Sequence, residues 1–254
     1  MALADPAFHL FFARISRRSW LEPAEREALA ALPAQARQIE TNRDFVRLGE
    51  RTSHACLVAD GLVGRFGQNR DGNRQMTALH IPGDIADLHS VVVPEAGSAL
   101  QALCVSTVLM VPHAALREVA ARYPAVAEAF WRESVVDASV LAEWIVNVAR
   151  RQALPRMAHL LCEMACRYGK GGEGPALDFI FPATQTHMAD MCGLTPVHVN
   201  RTLMALRGQQ LIRTEGRRVI ICQWDSLARL GDFEPDYLHL KRPVNDTGRL
   251  IAVA

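Results

Sequence analysis

Residues 184–206, TQTHMADMCGLTPVHVNRTLMAL, constrain the fold of this chain more than any other segment. Cys192-Gly193-Leu194 predicts a tight turn, because glycine adopts positive φ without steric cost. Thr195 is a good N-cap and Pro196 a good first residue for a helix that follows the turn. The core positions expected before and after the turn are Met188, Ala189 and Met191, and then Val199, Leu203 and Leu206 with i, i+4, i+7 spacing. The segment therefore predicts two helices packed across a tight turn.

The outer side of the second predicted helix carries side chains suited to reading duplex DNA. Arg201 can donate two hydrogen bonds to guanine O6 and N7, and Val197 could touch a thymine methyl group. Thr202, His198 and Thr184 have the reach for phosphate oxygens, which position a helix without reading sequence. This pattern is typical of a recognition helix. The DNA-contact residues predicted in this segment are Thr184, Thr195, Pro196, Val197, His198, Asn200, Arg201 and Thr202.

A hairpin is predicted downstream of these helices. Residues 211–213 and 219–221 have the composition of two short strands, joined by a turn at 214–217. The arginines expected to lie near the DNA backbone on this wing are Arg213, Arg217 and Arg218. Between residues 195 and 229 the chain has six arginines and only two acidic residues, although its formal net charge is +1. This local excess of positive charge is the electrostatic feature that DNA binding requires.

A long helix is predicted after Pro124, which is well placed as the first residue of a helix. A spacing of 3.5 residues between small or apolar positions is typical of the seam of a two-stranded coiled coil. The seam positions are Ala127, Trp131, Ser134, Ala138, Leu141, Ile145, Val148 and Gln152, of which Trp131, Ser134, Ala138, Leu141, Ile145 and Val148 are the predicted dimer interface. The alternative is a helix buried against its own β domain. Val140 and Trp144 lie off the seam, which indicates that the helix can form a dimer seam and also pack against its own β domain.

The remaining segments have other periodicities. Residues 41–112 show short apolar runs with turn signals about every 8–12 residues, which is typical of an all-β barrel or sandwich. Residues 69–73 lie between two such runs and predict a hairpin turn. Leu154-Pro155 interrupts the helical pattern, because proline disfavours helix in the preceding residue, and is the candidate hinge.

Composition excludes several other classes. No apolar run approaches the roughly 18–20 residues that span a bilayer, and the N-terminal residues lack the order of a signal peptide. We therefore expect a cytoplasmic protein whose six cysteines stay reduced. Their scattered spacing argues against a zinc finger, although Cys162 and Cys166 could bind metal or respond to oxidation if they are not simply core. No nucleophile–base pair or pair of carboxylates indicates an enzyme.

Along nearly its whole length, the sequence resembles the Crp/Fnr superfamily of bacterial transcription regulators. GLTPVHVNRTL falls at the recognition helix, and LHIPGDIADLHS falls before the last strands of the sensor domain. The resemblance implies an α+β chain with a cyclic-nucleotide-binding-like β-roll at 1–123, a dimerisation helix and hinge at 124–154, a winged helix-turn-helix at 155–231 and a tail at 232–254. It also implies a homodimer on a palindromic DNA site and contacts to RNA polymerase.

The ligand pocket implied by the resemblance departs from that of members that bind cyclic nucleotides. In those members, a Gly-Glu pair and a later pair that contains arginine hold the cyclic phosphate. Here Gly83-Asp84 replaces the first pair, so that only Asp87 corresponds to its acid, and Ser98-Ala99 replaces the second. No arginine lies between residues 75 and 110, so a cyclic phosphate would lack a cation. Leu141-Ala142 replaces the Thr-Ser pair that meets the base. The effector-pocket residues implied are Gly83, Asp84, Asp87, Leu88, Ser98, Ala99 and Leu141.

We expect no cofactor, and we do not expect control by cyclic AMP. An iron–sulfur cluster is not expected, because no cysteine precedes Cys56. His80, His89 and His113 could ligate haem, but lone histidines in a β domain are more often structural. An unidentified small-molecule effector therefore remains open. The recognition helix starts Pro196-Val197 where the cyclic-AMP regulators have Arg-Glu, so the DNA site should differ from theirs.

A second class of function is a small-molecule-binding module whose winged helix contacts protein rather than DNA. Such a module would carry an acidic or apolar outer face on its second helix. Asn200 and the arginines of this segment favour DNA.

Overall fold

The structure is a computed structural model that describes residues 6–72, 74–169 and 175–240. Two helices that the sequence did not predict come first, α1 (Pro6–Ile15) and α2 (Pro23–Ala30). Phe8, Phe11 and Ile15 on α1 are buried in a cluster that includes side chains of the β-roll. The N-terminal segment is therefore part of the sensor core.

Seven strands form a β-roll of two antiparallel sheets. Their order is β1-β7-β3 in one sheet and β2-β6-β4-β5 in the other. The strands are β1 (Gln35–Ile39), β2 (Arg43–Val46), β3 (His54–Asp60), β4 (Val63–Gln68), β5 (Arg74–His80), β6 (Ala99–Ala102) and β7 (Ser106–Pro112). Apolar residues from both sheets, including Ile39, Val58, Val63 and Val108, share one core cluster. The sequence prediction of a β domain and of a hairpin between β4 and β5 is confirmed, although the first strand begins at residue 35 rather than 41, and Asn73 lies outside the described residues.

A short helix, α3 (His113–Arg122), leads from the roll into the long helix α4 (Pro124–Arg150). Pro124 is in the first turn of α4, as predicted. Val136, Val140 and Trp144 are buried on the side of α4 that faces the rest of the chain. The indole N–H of Trp144 donates to Glu163 Oε2 at 2.8 Å. The helix therefore buries one face within its own chain and leaves another face exposed.

The break between α4 and the next helix, α5 (Ala153–Tyr168), lies earlier than the predicted hinge. Arg151 and Gln152 have extended backbone conformations, while Leu154-Pro155 lies in the first turn of α5. Proline is tolerated there because the first N–H groups of a helix have no partner within the helix. The prediction that Leu154-Pro155 interrupts the helix is therefore wrong by about one turn.

The C-terminal region follows α5 with a three-stranded antiparallel sheet and short helices. Its elements are β8 (Asp178–Ile180), α6 (Gln185–Cys192), α7 (Pro196–Gly208), β9 (Ile212–Glu215), β10 (Arg218–Ile221) and α8 (Trp224–Leu230). The sheet order is β8-β10-β9, so the predicted hairpin is present with an additional strand that the sequence did not indicate. Ten consecutive residues of α5, from Met157 to Cys166, are buried at the centre of this region.

The first residues after α8 pack on the helices rather than leaving the fold. Phe233 and Leu238 are buried, and Pro235–Leu238 forms a 3₁₀ turn beside α4 and α5. This confirms that Phe233, Tyr237 and Leu238 pack, while residues 241–254 of the predicted tail lie outside the described residues. In the part of the chain that is described, no helix combines the length and apolarity needed to cross a membrane.

Candidate nucleic-acid interface and sensor cavity

The turn between α6 and α7 has the geometry that the sequence predicts. Gly193 ends α6 with φ of 58°, in the left-handed region that favours glycine. The Thr195 hydroxyl accepts the backbone N–H of His198 at 3.3 Å, and Pro196 begins α7. Val199, Leu203 and Leu206 are buried as expected. Local chemistry therefore fixes the entry direction of α7.

The outer face of α7 is presented to solvent. Val197 is 61% exposed, and Asn200 and Arg201 are exposed as well. The Gln185 side chain of α6 donates to Asn200 Oδ1 at 3.4 Å, which links the two helices on this face. Within the described residues, the Arg201 guanidinium has no hydrogen-bond partner. This face can therefore supply a charged donor to a base edge.

Thr202 does not share this exposure. It is 6% exposed, and its hydroxyl donates to the carbonyl oxygen of His198 at 2.8 Å. Because a hydroxyl has a single proton, this bond leaves no free donor for a phosphate. The prediction that Thr202 reaches the DNA backbone is therefore wrong, whereas Thr184, Thr195, Pro196 and His198 are exposed at the starts of α6 and α7.

The three wing arginines differ in their environments. Arg218 makes two charge-assisted hydrogen bonds to Asp178 on β8, from Nε to Oδ1 at 2.6 Å and from Nη2 to Oδ2 at 2.5 Å. Arg213 and Arg217 are exposed and make no side-chain hydrogen bond within the described residues. Arg218 is therefore held by its own sheet, and the freely available wing charges are those of Arg213 and Arg217.

The predicted seam of α4 is mostly turned away from the chain's own core. Trp131 is 70% exposed and Ile145 is 61% exposed, while Ser134 and Ala138 are also exposed. Leu141 is half-buried and lines an internal cavity. Val148 is half-buried, and a Cβ atom placed on Gly193 would lie 3.0 Å from its Cγ1. Val148, the last residue of the predicted dimer interface, therefore faces the turn of the helix-turn-helix instead.

The roll contacts the helix-turn-helix directly. His187 Nε2 on α6 lies 2.8 Å from Asn42 Oδ1, in the turn between β1 and β2. The Gln75 side chain on β5 donates to the carbonyl oxygen of Asp190 at 2.5 Å. Burial lowers the pKa of His187, which favours its neutral form in this contact. These contacts had no signal in the sequence, because each joins residues more than a hundred positions apart.

A cavity of about 390 Å³ lies between α1, the roll, α4 and α5. Five of the seven predicted pocket residues line it, namely Gly83, Asp84, Leu88, Ser98 and Leu141. Asp87 and Ala99 are not among the lining residues. Asp87 is buried, and its Oδ1 accepts the backbone N–H of Cys56 at 2.7 Å, so it is a structural acceptor. Burial raises the pKa of Asp87 to about 6.

Four arginines line this cavity, so the expectation of a pocket without a cation is wrong. They are Arg14, Arg18, Arg65 and Arg167, and all four lie outside residues 75–110. Arg65 on β4 makes two hydrogen bonds to Asp137 on α4, at 2.8 and 2.9 Å. Arg18 makes two hydrogen bonds to Glu133, at 2.9 and 2.8 Å. The cations are supplied by α1 and its following turn, β4 and α5, and every one is paired with a carboxylate.

Asp84 has a different role from that of a ligand-binding acid. It lies 3.1 Å from Arg14 Nη1 and 2.9 Å from Arg167 Nη2, and it also accepts the backbone N–H of Ile81. Burial would raise the pKa of Asp84, but the charges of Arg14 and Arg167 outweigh it and lower the pKa to about 2. Because Arg167 belongs to α5, this carboxylate joins the roll to the C-terminal region.

The turn that carries Asp84 is pressed against α1. Gly83 has φ of +92°, and a Cβ atom placed there would lie 2.9 Å from Arg14 Nε and 3.0 Å from the backbone of Leu10. Only glycine therefore fits this turn without displacing α1.

Known proteins with similar sequences or structures share this architecture. Residues 155–230 match the family of Crp-like helix-turn-helix domains. The chain is similar to the fumarate and nitrate reduction regulatory protein of Vibrio cholerae, with 20% identity over 210 residues that cover 83% of this chain and 84% of that one. It is also similar to the solved structure of FixK2 from Bradyrhizobium japonicum, with 25% identity, a TM-score of 0.71, and coverage of 78% of this chain and 98% of that one.

Residues 155–230 are thus a Crp-like helix-turn-helix domain, and this chain is a DNA-binding transcription regulator similar to those of the Crp/Fnr type. The structure of a CooA mutant from Carboxydothermus hydrogenoformans shows the same fold at 15% identity, with a TM-score of 0.61 and coverage of 86% of this chain and 94% of that one. The β-roll, the long helix and the winged helix-turn-helix are thus confirmed as one α+β architecture.

Of the side chains considered as cofactor or metal ligands, His80, His113, Cys162 and Cys166 are buried, while His89 is exposed and lines the cavity. His113 Nε2 lies 2.8 Å from the Ser90 hydroxyl, and burial lowers the pKa of His80 to about 3. Burial raises the pKa of Cys162 well above its usual range and that of Cys166 to about 12, so both thiols are held protonated in the core. No group of three possible metal ligands occurs among the residues that the structure describes.

Proposed function

We propose that this regulator binds a palindromic DNA site as a homodimer, with one α7 in the major groove of each half-site. The observation that carries the proposal is the outer face of α7, where Val197, Asn200 and Arg201 are exposed around a helix held by a buried stripe. A recognition helix needs both properties, a rigid seat and hydrogen-bonding groups that reach base edges. Arg213 and Arg217 extend the positive surface to the phosphates on either side.

The homodimer rests on the exposed side of α4. Trp131, Val135, Ile145 and Val146 are large apolar residues exposed along one helix, which favours a second copy of the same helix as their cover. A two-fold axis along this seam would place the two α7 helices on half-sites about one helical turn apart. Asp137 and Leu141, which line the cavity, lie on the same helix, so the seam and the cavity are adjacent.

The function we propose is regulation by a small-molecule effector other than cyclic AMP, with RNA polymerase as the protein partner and the cytoplasm as its place of action. The cavity supports an effector, because elements of both the sensor and the C-terminal region line it. Cyclic AMP is disfavoured, since Leu141-Ala142 offers the base no hydroxyl groups and Ser98-Ala99 supplies no arginine where the cyclic-nucleotide regulators have one. The relatives are regulators, and we propose that this chain likewise has no catalytic activity.

The experiment for the DNA-binding proposal is binding-site selection from random duplexes, followed by comparison of Arg201→Ala with the parent. We expect Arg201→Ala to cost about 1–3 kcal/mol on the selected site and to relax specificity at one base pair in each half-site. Arg26→Ala is the matched control, because Arg26 is an exposed arginine on α2. If Arg201→Ala binds the selected site as tightly as Arg26→Ala does, Arg201 does not read a base.

The experiment for the homodimer is sedimentation of Ile145→Glu beside Val105→Glu. Ile145 is exposed on the α4 seam, while Val105 is 47% exposed just before β7 of the roll. We expect Ile145→Glu to sediment as a monomer, because two carboxylates would be buried at the seam. Val105→Glu should remain dimeric. Two dimeric variants, or a monomeric parent, would exclude α4 as the dimer seam.

A further inference from the structure

The end of the cavity next to α1 has a surplus of positive charge. Around this end lie Arg14, Arg17, Arg18 and Arg167, against the carboxylates of Asp84, Glu133 and Glu163, and Arg17 forms no ion pair within the described residues. Arg14 and Arg167 share the single carboxylate of Asp84. Burial lowers the pKa of Arg14, and the neighbouring arginines lower it further, although Asp84 opposes them.

Donors remain unused at this end. Arg14 donates from Nε to the carbonyl oxygen of Pro82 at 3.1 Å and forms an ion pair with Asp84 through Nη1. Its Nη2 has no hydrogen-bond partner within the described residues, and a guanidinium offers five N–H donors in all. Arg18, in the turn that follows α1, also lines the cavity and donates to Glu133 and to the Leu238 carbonyl oxygen.

The rest of the wall is largely apolar. Phe11, Leu88, Val140, Leu141 and Leu238 contribute to it, from four different parts of the fold. A ligand that matches both ends of the cavity has one anionic group and an apolar body. The volume of about 390 Å³ lies within the range of small-molecule sites.

We propose that the cavity binds a small organic anion whose charged group is held by Arg14 and Arg18 and competes with Asp84 for Arg14. This places the charge-binding groups on α1 and the turn after it, rather than on the loop before β6. The proposal deepens the proposed regulation by an effector. Only the regulatory role of the bound anion rests on that proposed function.

The same carboxylate connects the anion site to the DNA-binding region. Arg167 Nη2 lies 2.9 Å from Asp84, and Arg167 Nη1 lies 3.0 Å from Glu163, which is fully buried. Glu163 also accepts from the Trp144 indole at 2.8 Å and from the Tyr237 hydroxyl at 3.0 Å. When an anion takes Arg14 from Asp84, Asp84 keeps only its ion pair with Arg167. The environment of Trp144 changes with that pair, so its fluorescence reports the coupling.

Binding is tested with four probes of one chain length, hexanoate, hexyl phosphate, hexanol and hexylamine. Each is titrated against the full chain without DNA and followed by the chemical shifts of the probe. We expect hexanoate or hexyl phosphate to bind saturably and at least ten-fold more tightly than hexanol and hexylamine. Preference for one of the two anions distinguishes a carboxylate ligand from a phosphate ligand. Equal binding of hexanol and hexanoate, or no anion binding at 10 mM, would overturn the proposal.

Variants then locate the site. Arg14→Gln and Arg18→Gln should each weaken anion binding at least ten-fold, while Arg37→Ala, an exposed arginine on β1, should leave it unchanged. Ser98→Phe provides a second approach, because it fills the cavity from its rim without altering an arginine. Circular dichroism confirms that each variant is folded. If Ser98→Phe and either glutamine variant bind the anion as tightly as the parent, the anion site lies elsewhere and the assignment to Arg14 and Arg18 is wrong.

The coupling between the anion site and the C-terminal region is measured separately from anion binding. Saturating anion should shift the emission of Trp144 in a chain whose other tryptophans are replaced by phenylalanine, and the shift should disappear in Arg167→Gln. Anion binding without any shift would overturn the coupling through Asp84. Arg201→Ala should bind the anion normally, so failure of DNA reading and failure of the anion site are distinguishable.

Discussion

The two ends of this regulator use arginine in opposite ways. Around the sensor cavity, Arg14, Arg65 and Arg167 are largely shielded from solvent and paired with carboxylates from distant parts of the chain. On the DNA-binding face, Arg201 and Arg217 are exposed, and their side chains make no hydrogen bond within the described residues. A buried guanidinium without a partner would be costly, whereas an exposed one retains its hydration until DNA displaces it. The same residue type therefore stabilises the fold at one end and remains available for a partner at the other.

The surface arginines and the buried arginines also respond to different kinds of partner. A surface arginine contributes to long-range attraction that salt screens, while a buried ion pair responds only to a group that enters its cavity. Asp84 is the point at which a cavity group and the C-terminal region share one partner. The contrast predicts that stability depends on the first set of arginines and DNA affinity on the second.

The largest expected effect comes from breaking a buried pair. Arg167→Ala leaves Glu163, whose side chain is fully buried, without its cation, and should destabilise the chain by about 3–5 kcal/mol in urea denaturation. Arg218→Ala removes an exposed ion pair with Asp178 and should unfold at the same urea concentration as the parent. Equal midpoints for the two variants would show that burial does not distinguish these arginines.

An intermediate effect is expected from acid. Because the pKa of Asp84 is lowered to about 2 in the folded chain, its ionised form stabilises the fold above the unfolded pKa, and this stability is lost as pH falls from about 5 towards 2. The shift corresponds to about 2 kcal/mol. Asp84→Asn should lower the free energy of unfolding at pH 7 and flatten its fall below pH 5. Parallel pH curves for parent and variant would refute the ion-pair assignment of Asp84.

The smallest effect concerns the wing. Arg217→Ala should weaken DNA binding about equally on all sequences and reduce the slope of log affinity against log salt by about 1. Arg218→Ala should change the slope less, because Asp178 already holds that guanidinium. The measurement is fluorescence anisotropy of a labelled duplex over a range of salt concentrations. A larger change for Arg218 than for Arg217 would mean that the Asp178 pair opens on DNA.

The helix-turn-helix could be predicted from sequence almost completely. Gly193, Thr195 and Pro196 act within four residues of one another, so their spacing alone fixes the turn and the start of α7. Thr202 was misjudged because its hydroxyl had two possible partners, a phosphate or the carbonyl one turn earlier. The helix supplies the second partner at 2.8 Å.

The sensor could be predicted only in outline. Turn signals predicted a β domain, but the N-terminal helices and the cavity cations were missed. Arg65 pairs with a residue 72 positions away, and Arg167 with one 83 positions away. No local sequence pattern predicts such ion pairs, because an arginine on a strand or helix has the same sequence context whether it is exposed to solvent or paired with a carboxylate.

Sequence alone therefore determined the elements whose stability comes from neighbours along the chain, namely the capped recognition helix, the wing and the apolar seam of α4. Tertiary structure decided which side of each element is buried, which arginines are neutralised and where the cavity lies. The physical reason is distance along the chain. Caps and helical stripes are interactions over three or four residues, whereas ion pairs and cavities exist only once remote segments have packed together.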